Sequence, residues 1–360
     1  MKLITILGAR PQFIKAAAVS RAVAETSGVD NVLVHTGQHY DQNMSDVFFE
    51  ELGIPKPHYH LEIGGGTHGQ MTGRQLEAIE AVLAQEKPDA VVVYGDTNST
   101  LAGGLAASKM GIPVCHVEAG LRSFNRSMPE EINRVLTDHL STWLFAPTDT
   151  AVDHLAKEGI AGSHVVNVGD VMYDAALLFG DDARRKSSIL DRLNLEEGAF
   201  RLATVHRQEN TDNPERLSVI FEALRTLAKD RPLVLPMHPR TRKALELTGE
   251  FKTMTAGLTV TEPLGFFDVI RLMQGACVLL TDSGGMQKEA YFHGTPVVVL
   301  RDETEWVELV ELGWAKIVSP VEVTSVVDGA EFMRAPPKSI DTQPYGDGDA
   351  AGKILTALSG

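Results

Sequence analysis

The fold is decided by the opening stretch, Lys2-Leu3-Ile4-Thr5-Ile6-Leu7-Gly8-Ala9-Arg10-Pro11. Residues 3–7 are apolar except for one threonine, so they predict a strand buried on both faces. The glycine and the proline that follow predict a turn into a helix. Four more apolar runs of strand length occur in the first half of the chain, at residues 32–35, 90–94, 114–117 and 143–146. Amphipathic stretches separate these runs, and this alternation predicts an α/β fold with a parallel sheet.

The same alternation restarts in the second half of the chain. Runs of strand length lie there at residues 201–204, 233–237, 258–261, 278–280 and 297–300. A chain of 360 residues is long enough for about two domains. The charged stretch 170–198 lacks strand-like runs, so we expect it to separate two halves of the same architecture.

The composition excludes several classes of function. Asp and Glu outnumber Lys and Arg by 48 to 33, and the net charge of −15 argues against a broad surface for nucleic acid or an anionic membrane. An anionic ligand must therefore be held by a local site. Cys115 and Cys277 lie far apart in apolar runs, so we expect no disulfide framework and a cytoplasmic location.

Two turns from strand to helix have the composition of an anion site. Their small and basic residues are Gly8, Arg10, Lys15, Ser283, Gly284 and Gly285. A helix N-terminus at the carboxyl edge of a parallel sheet offers N–H groups and a favourable dipole to phosphate. In the second helix, Glu289 would accept hydrogen bonds from ribose hydroxyls. Two such turns predict one nucleotide-linked ligand.

A nicotinamide-dependent enzyme is the main alternative for this fold class. No Gly-x-Gly-x-x-Gly fingerprint follows any predicted strand, so we expect no nicotinamide cofactor. Three histidines, His58, His60 and His68, lie close in sequence. They lack the fixed spacing of a zinc-binding helix and have no cysteine nearby, so we expect no metal site.

Four ionisable residues are candidates for chemistry. Asp96, Glu118 and Glu130 fall after predicted strands or in loops at one edge of the first sheet. His206 follows the strand that opens the second half and can act as an acid, a base or a donor to phosphate. An ordinary surface or capping role is the alternative for each residue. The case for a site rests on their equivalent positions in the topology.

Seven motifs occur in order along the whole chain. They are Gly8-Ala9-Arg10-Pro11, Tyr94-Gly95-Asp96-Thr97, His116-Val117-Glu118-Ala119-Gly120-Leu121-Arg122, Pro129-Glu130-Glu131-Ile132-Asn133-Arg134, His206-Arg207-x-Glu209-Asn210, Leu280-Thr281-Asp282-Ser283-Gly284-Gly285 and Pro344-Tyr345-Gly346-Asp347-Gly348. As an ordered set they resemble the non-hydrolysing UDP-N-acetylglucosamine 2-epimerases.

The resemblance implies two Rossmann-like domains that face each other across a cleft, the glycosyltransferase-B arrangement. The first covers residues 1–168 and is rejoined by a C-terminal helix at 346–360, and the second binds UDP and covers 169–345. A homodimer and an isomerase without a cofactor are also implied. In this family UDP is eliminated across C1–C2 of the sugar, which leaves a 2-acetamidoglucal. UDP is then added back with the C2 proton on the other face.

The resemblance also assigns roles to residues. Asp96, Glu118 and Glu130 are the acid–base and charge-stabilising carboxylates, with none assigned to a particular face of C2. His206 stabilises the departing diphosphate with help from Arg10 and Lys15. The residues expected to hold the diphosphate, the ribose and the uracil are Ser283, Gly284, Gly285, Glu289, Leu264 and Phe267.

One departure from the family pattern leaves the sugar open. Members that act on UDP-N-acetylglucosamine carry Thr-Glu-Arg-Pro-Glu after the last core strand, whereas this chain has Thr304-Glu305-Trp306-Val307-Glu308. This variant is similar to relatives that epimerise UDP-2,3-diacetamido-2,3-dideoxyglucuronate for surface polysaccharides. The main expectation is interconversion of UDP-N-acetylglucosamine and UDP-N-acetylmannosamine, with the diacetamido uronate as the alternative substrate. A glycosyltransferase of the same fold and a non-catalytic UDP-sugar sensor are the rival functions.

Overall fold

The opening stretch forms β1 (Lys2–Leu7), a central strand of a parallel sheet. The computed structural model describes residues 1–38, 53–335 and 343–359, without the side chain of Arg10. The chain divides into two compact units: unit 1 is Met1–Ala175 with Gln343–Gly360, and unit 2 is Ala176–Thr342. Each unit is a parallel sheet with helices, so the predicted α/β fold class is confirmed.

Unit 1 contains the first sheet. Its other strands are β2 (Asp30–His35), β3 (Tyr59–His60), β4 (Ala90–Tyr94), β5 (Val114–Val117), β6 (Trp143–Ala146) and β7 (Val165–Asn167). Its helices are α1 (Arg10–Glu25), α2 (His68–Glu86), α3 (Asn98–Lys109), α4 (Pro129–Leu140) and α5 (Asp149–Lys157). Among the described residues the sheet has seven parallel strands in the order β3-β2-β1-β4-β5-β6-β7. All residues of β4 and β5 are buried, as expected for central strands covered on both faces.

Unit 2 repeats this architecture. Its strands are β8 (Phe200–Thr204), β9 (Leu233–Pro236), β10 (Thr259–Thr261), β11 (Ala276–Thr281), β12 (Val297–Val299) and β13 (Ala315–Ile317). Helix α6 (Val171–Lys186) leads into it, and its further helices are α7 (Ile189–Arg192), α8 (Gln208–Thr211), α9 (Pro214–Leu227), α10 (Pro239–Leu247), α11 (Phe251–Met254), α12 (Phe266–Gly275), α13 (Gly284–Phe292), α14 (Val307–Glu311) and α15 (Val323–Phe332). The parallel sheet has the order β10-β9-β8-β11-β12-β13 over the part of the chain described.

The end of the chain returns to unit 1. Helix α16 (Ala350–Ser359) packs against α1, and the Ala351 N–H donates to Asp174 Oδ1 at 2.9 Å. Just before this helix, Gly346 has a φ of +84° and crosses Gly169 so closely that a Cβ would lie 2.9 Å from the Gly169 Cα. Only glycine fits there. The predicted return of the terminal helix to the first half of the fold is therefore confirmed.

The stretch expected to separate the two halves is largely helical. Helix α6 begins inside it, and the two units divide after Ala175, within that helix. In the three described ranges, no helix combines the length and the apolar composition needed to cross a membrane.

Candidate active site

The strand order reverses between β1 and β4 in unit 1 and between β8 and β11 in unit 2. At such a switch point the loops after neighbouring strands run in opposite directions and leave a crevice for a ligand. In unit 1, Gly8 follows β1, Asp96 lies two residues after β4, and Glu118 directly follows β5. The fold thus brings the predicted anion turn and two of the three predicted carboxylates to one edge.

Glu118 forms an ion pair with Lys15 from α1, and their side chains are only 8% and 11% exposed. Glu118 has a φ of +73°, a left-handed conformation that costs roughly 1–2 kcal/mol for a residue with a Cβ. The N–H groups of Glu118 and Ala119 both donate to the Phe145 carbonyl, at 3.0 and 3.1 Å, and hold this conformation. Lys15, predicted to assist a diphosphate, neutralises a carboxylate in this structure.

Gly95 lies directly beneath this ion pair. Its φ is +62°, and a Cβ there would be 3.2 Å from Glu118 Oε2 and 3.5 Å from Lys15 Nζ. A side chain at this position would therefore crowd the ion pair as well as strain the backbone. The next residue is Asp96. One turn therefore contains both the glycine that leaves space for the Glu118 side chain and the second carboxylate.

The carboxylate of Asp96 forms an ion pair with Arg134 from α4. Burial alone would lower the pKa of Arg134, but Asp96 and Glu131 outweigh it and raise the pKa above its usual value. The neighbouring Asn133 donates from Nδ2 to the Asp96 carbonyl at 2.9 Å. Two consecutive residues of α4 therefore hold Asp96 at its side chain and its backbone. Neither residue was predicted from the sequence, although both belong to the motif that contains Glu130.

Glu130, the third predicted carboxylate, is exposed in the first turn of α4. Its neighbour Glu131 is buried and accepts hydrogen bonds from the N–H groups of Ser123 and Phe124, both at 2.9 Å. The structure thus brings two predicted carboxylates together and places the third on an exposed helix turn.

Gln12, which was not predicted from the sequence, connects two turns of the site. Its Oε1 accepts from the N–H groups of Gly8 and Ala9 at 2.7 and 3.1 Å. Its Nε2 donates to the Tyr94 carbonyl at 2.7 Å and to Thr97 Oγ1 at 3.0 Å. A buried amide therefore ties the turn after β1 to the turn that carries Asp96. The N–H groups of Gly8 and Ala9, the first two of the predicted anion site, therefore donate to a side chain of the protein itself.

In unit 2, the loop of His206 is anchored by Asp282, which is fully buried at the end of β11. Its carboxylate accepts from the N–H groups of His206 and Arg207 at 3.0 and 2.9 Å, and from Asn210 Nδ2 at 3.0 Å. The His206 side chain remains 34% exposed, and its Nδ1 lies 3.3 Å from Asp282 Oδ1. The ring is therefore held in place with one side open to solvent.

The rings of His206 and His238 pack against each other at a tilt of 35°, with 5.2 Å between their centroids. Burial lowers the pKa of His206; Asp282 opposes this, while Arg207 and Arg240 reinforce it. Burial also lowers the pKa of His238, with help from His206 and Arg240. Arg207 and Arg240 add positive charge beside the two histidines, which suits an anionic ligand.

The Ser283-Gly284-Gly285 turn caps α13, where Ser283 Oγ accepts from the Met286 N–H at 3.5 Å. The loop that follows β12 closes over it: the Trp306 Nε1–H donates to the Gly284 carbonyl at 2.8 Å. A buried lysine, Lys288, places its Nζ 4.0 Å from the centroid of the Trp306 ring. The departure at Trp306 is therefore part of the wall of the predicted phosphate turn.

The other predicted binding residues differ in exposure. Leu264 and Glu289 are half-buried, whereas Phe267 is buried and packs against Phe179 and Phe266. The Phe267 ring thus packs in the core of unit 2. The side chain of Arg10 lies outside the described groups.

The sequence profile of the UDP-N-acetylglucosamine 2-epimerase family matches residues 21–359. The chain belongs to this family. The family and the isomerase class predicted from the motifs are therefore confirmed. Solved structures of epimerases match this chain over its whole length, so its fold can be compared directly with theirs.

Two epimerases of known sequence cover the chain from end to end. The UDP-2,3-diacetamido-2,3-dideoxy-D-glucuronate 2-epimerase of Pseudomonas aeruginosa is 52% identical over 100% of this chain and 99% of its own length. The UDP-N-acetylglucosamine 2-epimerase of Methanocaldococcus jannaschii is 43% identical over the same shares of the two chains.

Two solved epimerase structures match the fold. The Methanocaldococcus jannaschii enzyme in complex with UDP-GlcNAc and UDP has a TM-score of 0.91 at 43% identity, over 100% of this chain and 99% of that one. The Neisseria meningitidis enzyme bound to UDP-GlcNAc has a TM-score of 0.87 at 31% identity over 100% of both chains. The predicted glycosyltransferase-B class of fold is confirmed by this likeness.

Proposed function

We propose that this epimerase interconverts UDP-N-acetylglucosamine and UDP-N-acetylmannosamine by eliminating UDP and adding it back. The C2 proton of a 2-acetamido sugar has no adjacent carbonyl to acidify it, so direct removal would be slow. Elimination through a 2-acetamidoglucal avoids a free carbanion, but needs groups that move a proton at C2 and stabilise charge at C1. The observation that carries the proposal is the convergence of Asp96 and Glu118 at the switch point of unit 1, each paired with a cation.

In this proposal the two units supply different chemistry. In unit 1, Asp96 and Glu118 act on the sugar, and Glu130 joins them from its exposed turn. In unit 2, His206 donates to the diphosphate as charge builds on it during departure. The binding groups of unit 2 are proposed to be the turn Ser283, Gly284 and Gly285 for the diphosphate, Glu289 for the ribose, and the turn of Leu264 and Phe267 for the uracil. Arg10 and Lys15 are proposed to add positive charge.

A second candidate substrate is UDP-2,3-diacetamido-2,3-dideoxyglucuronate. Two observations favour it: the 52% identity to the Pseudomonas aeruginosa enzyme of that name, and the replacement of the family's arginine by Trp306. The local charge is not lost with that arginine, because Lys288 lies over the Trp306 ring. Turnover of each sugar by the same preparation decides between the two substrates.

We propose that the enzyme acts as a homodimer in the cytoplasm. Both cysteines are free thiols, the state expected in a reducing compartment. Light scattering on the protein as it elutes from a size-exclusion column gives its molar mass. A mass of two chains supports the homodimer, and a mass of one chain contradicts it.

The experiment that tests the function is Asp96→Asn, with Asp89→Asn as a matched control. Asp89 precedes the same strand at its other end, where it accepts a hydrogen bond from the Lys2 N–H at 2.6 Å. We expect Asp96→Asn to reduce turnover by about 100-fold or more. UDP affinity should stay within about threefold, and Asp89→Asn should leave both quantities unchanged. Full turnover in Asp96→Asn would contradict the proposed function.

A further inference from the structure

We propose that His116 is a positioning residue for the epimerase reaction, because its ring fixes the peptide that carries Asp96. His116 lies in β5 and is completely buried. This inference deepens the proposed function and rests on it for its kinetic test.

The contact that carries the inference joins the His116 ring to Gly95. Nε2 of His116 lies 2.7 Å from the Gly95 carbonyl oxygen. A carbonyl oxygen only accepts, so Nε2 carries a proton and donates it. The Gly95 N–H donates to the Val117 carbonyl at 3.0 Å. Both polar groups of Gly95 are thus attached to β5, one through the backbone and one through the ring.

The other ring nitrogen is held by a buried carboxylate. Nδ1 of His116 lies 2.6 Å from Asp138 Oδ1. Asp138 also accepts from the Gly120 N–H at 3.1 Å and from Arg122 Nη1 at 2.7 Å. Burial would raise the pKa of Asp138, but His116 and Arg122 outweigh it and lower the pKa. The carboxylate is therefore ionised, and Nδ1 also donates.

Arg122 joins this network to a second carboxylate. Arg122 extends to Glu158, with Nη2 to Oε2 at 2.7 Å, so its guanidinium bridges two carboxylates. Asp138 is fixed by its bonds to Gly120 and Arg122, and its directional hydrogen bond with Nδ1 orients the His116 ring. The orientation of the ring is set accordingly, and with it the position of the Gly95 carbonyl.

The position of Gly95 matters because of its neighbours. Its φ is +62°, and the peptide that begins with its carbonyl leads directly to Asp96. Rotation of this peptide would turn the Asp96 carboxylate away from Arg134 and change the space that Glu118 occupies above Gly95. A displacement of about 1 Å in a reacting group reduces catalysis by about 100-fold. His116 therefore acts on catalysis through Asp96.

Two substitutions separate this role from a purely structural one. His116→Asn retains an N–H near the position of Nδ1, so it preserves the bond to Asp138 and loses the bond to Gly95. His116→Gln retains an N–H near the position of Nε2, so it preserves the bond to Gly95 and leaves Asp138 short of a donor. A positioning role predicts the larger loss of turnover in His116→Asn. A structural role predicts that turnover follows stability, with the larger loss in His116→Gln.

The control is Glu86→Gln, which removes a half-buried carboxylate at the opposite edge of the same sheet. Glu86 Oε2 pairs with Lys2 Nζ at 2.6 Å, so the control also weakens an internal polar contact. Its turnover should equal that of the unchanged protein.

The test measures kcat, KM, the thermal midpoint, and the affinity and stoichiometry of UDP binding. The stoichiometry shows what fraction of the chains has a folded UDP site. We expect kcat to fall about 10–100-fold in His116→Asn and less than fivefold in His116→Gln, with UDP affinity within threefold and one site per chain in both. Equal kcat in the two variants, the reverse ranking, or loss of UDP sites in His116→Asn would overturn the proposal.

A crystal structure of His116→Asn gives a readout that does not depend on activity. We expect the Gly95–Asp96 peptide to rotate and the Asp96–Arg134 ion pair to open; an unmoved Asp96 would overturn the positioning role. If the unchanged protein turns over neither UDP-sugar, the proposed function fails, and this structure still decides whether His116 positions Asp96.

Discussion

The ion pair between Lys15 and Glu118 gives the most quantitative prediction. Two opposite charges about 4 Å apart attract each other by about 4 kcal/mol at the effective dielectric constant of about 20 that suits protein sites. Both side chains are about nine-tenths buried, so solvent weakens this attraction only in part. We therefore expect a coupling energy of about 2–3 kcal/mol between the two residues.

A double-mutant cycle measures this energy. The variants are Lys15→Met, which keeps the apolar stem of the side chain, Glu118→Gln, which keeps its shape, and the double variant. Urea unfolding followed by circular dichroism gives the free energy of unfolding for each. Unit 2 is unchanged in all four proteins, so its contribution cancels in the cycle.

Helix α1 offers a matched control, the pair Arg21–Glu25. Its charged atoms lie 3.3 Å apart, but the two side chains are 61% and 70% exposed. Such a pair should show a coupling energy below about 0.5 kcal/mol. If the Lys15–Glu118 cycle gave a value as small as this, the conclusion that Glu118 is held by a buried cation would be wrong.

Three further predictions concern the framework of the two units. Gly120→Ala should lower the free energy of unfolding in urea by more than about 3 kcal/mol, because the new Cβ would collide with the Ala151 carbonyl at a backbone φ of +80°. The control is Gly28→Ala, which has a φ of +83° but open space around it and should cost roughly 1 kcal/mol. Burial lowers the pKa of His293 to about 4. Below pH 6.5 the unfolded chain therefore binds more protons than the folded protein, and the free energy of unfolding decreases as the pH falls. The loss of stability between pH 7.5 and pH 5, measured by thermal unfolding, should be about 2 kcal/mol smaller in His293→Gln than in the unchanged protein. Asp282→Asn should weaken UDP binding about tenfold by calorimetry, because the His206 loop loses its anchor; unchanged affinity would show that the loop needs no such anchor.

Much of the fold could be predicted from the sequence. The buried runs at 90–94, 114–117 and 143–146 are strands with those same limits, because central strands covered on both faces are continuously apolar. Strands Tyr59–His60, Val165–Asn167 and Ala315–Ile317 were not predicted. They have two or three residues and lie at sheet edges, where pairing with one neighbour defines the strand and leaves little hydrophobic pattern.

The positions of the two carboxylates could be predicted from the sequence, but their hydrogen-bond and ion-pair partners could not. Asp96 and Glu118 follow central strands, and topology alone places them at one edge. The partners of these residues depend on the tertiary structure: Lys15 meets Glu118 across 103 positions, and Arg134 meets Asp96 across 38. Gln12 and His116 were missed as supports for the same reason. Their motifs were visible, but a motif does not show which backbone groups its side chains will reach.

The most direct test of the central claim is proton NMR of the purified enzyme in deuterated water, with no added nicotinamide. UDP-N-acetylglucosamine and its 2,3-diacetamido uronate analogue would be supplied separately. We expect a manno product from at least one sugar, with deuterium from solvent at C2, because elimination and re-addition replace the C2 proton. Unchanged spectra with both sugars, from protein shown to bind UDP, or a manno product that retains its original C2 proton, would contradict it.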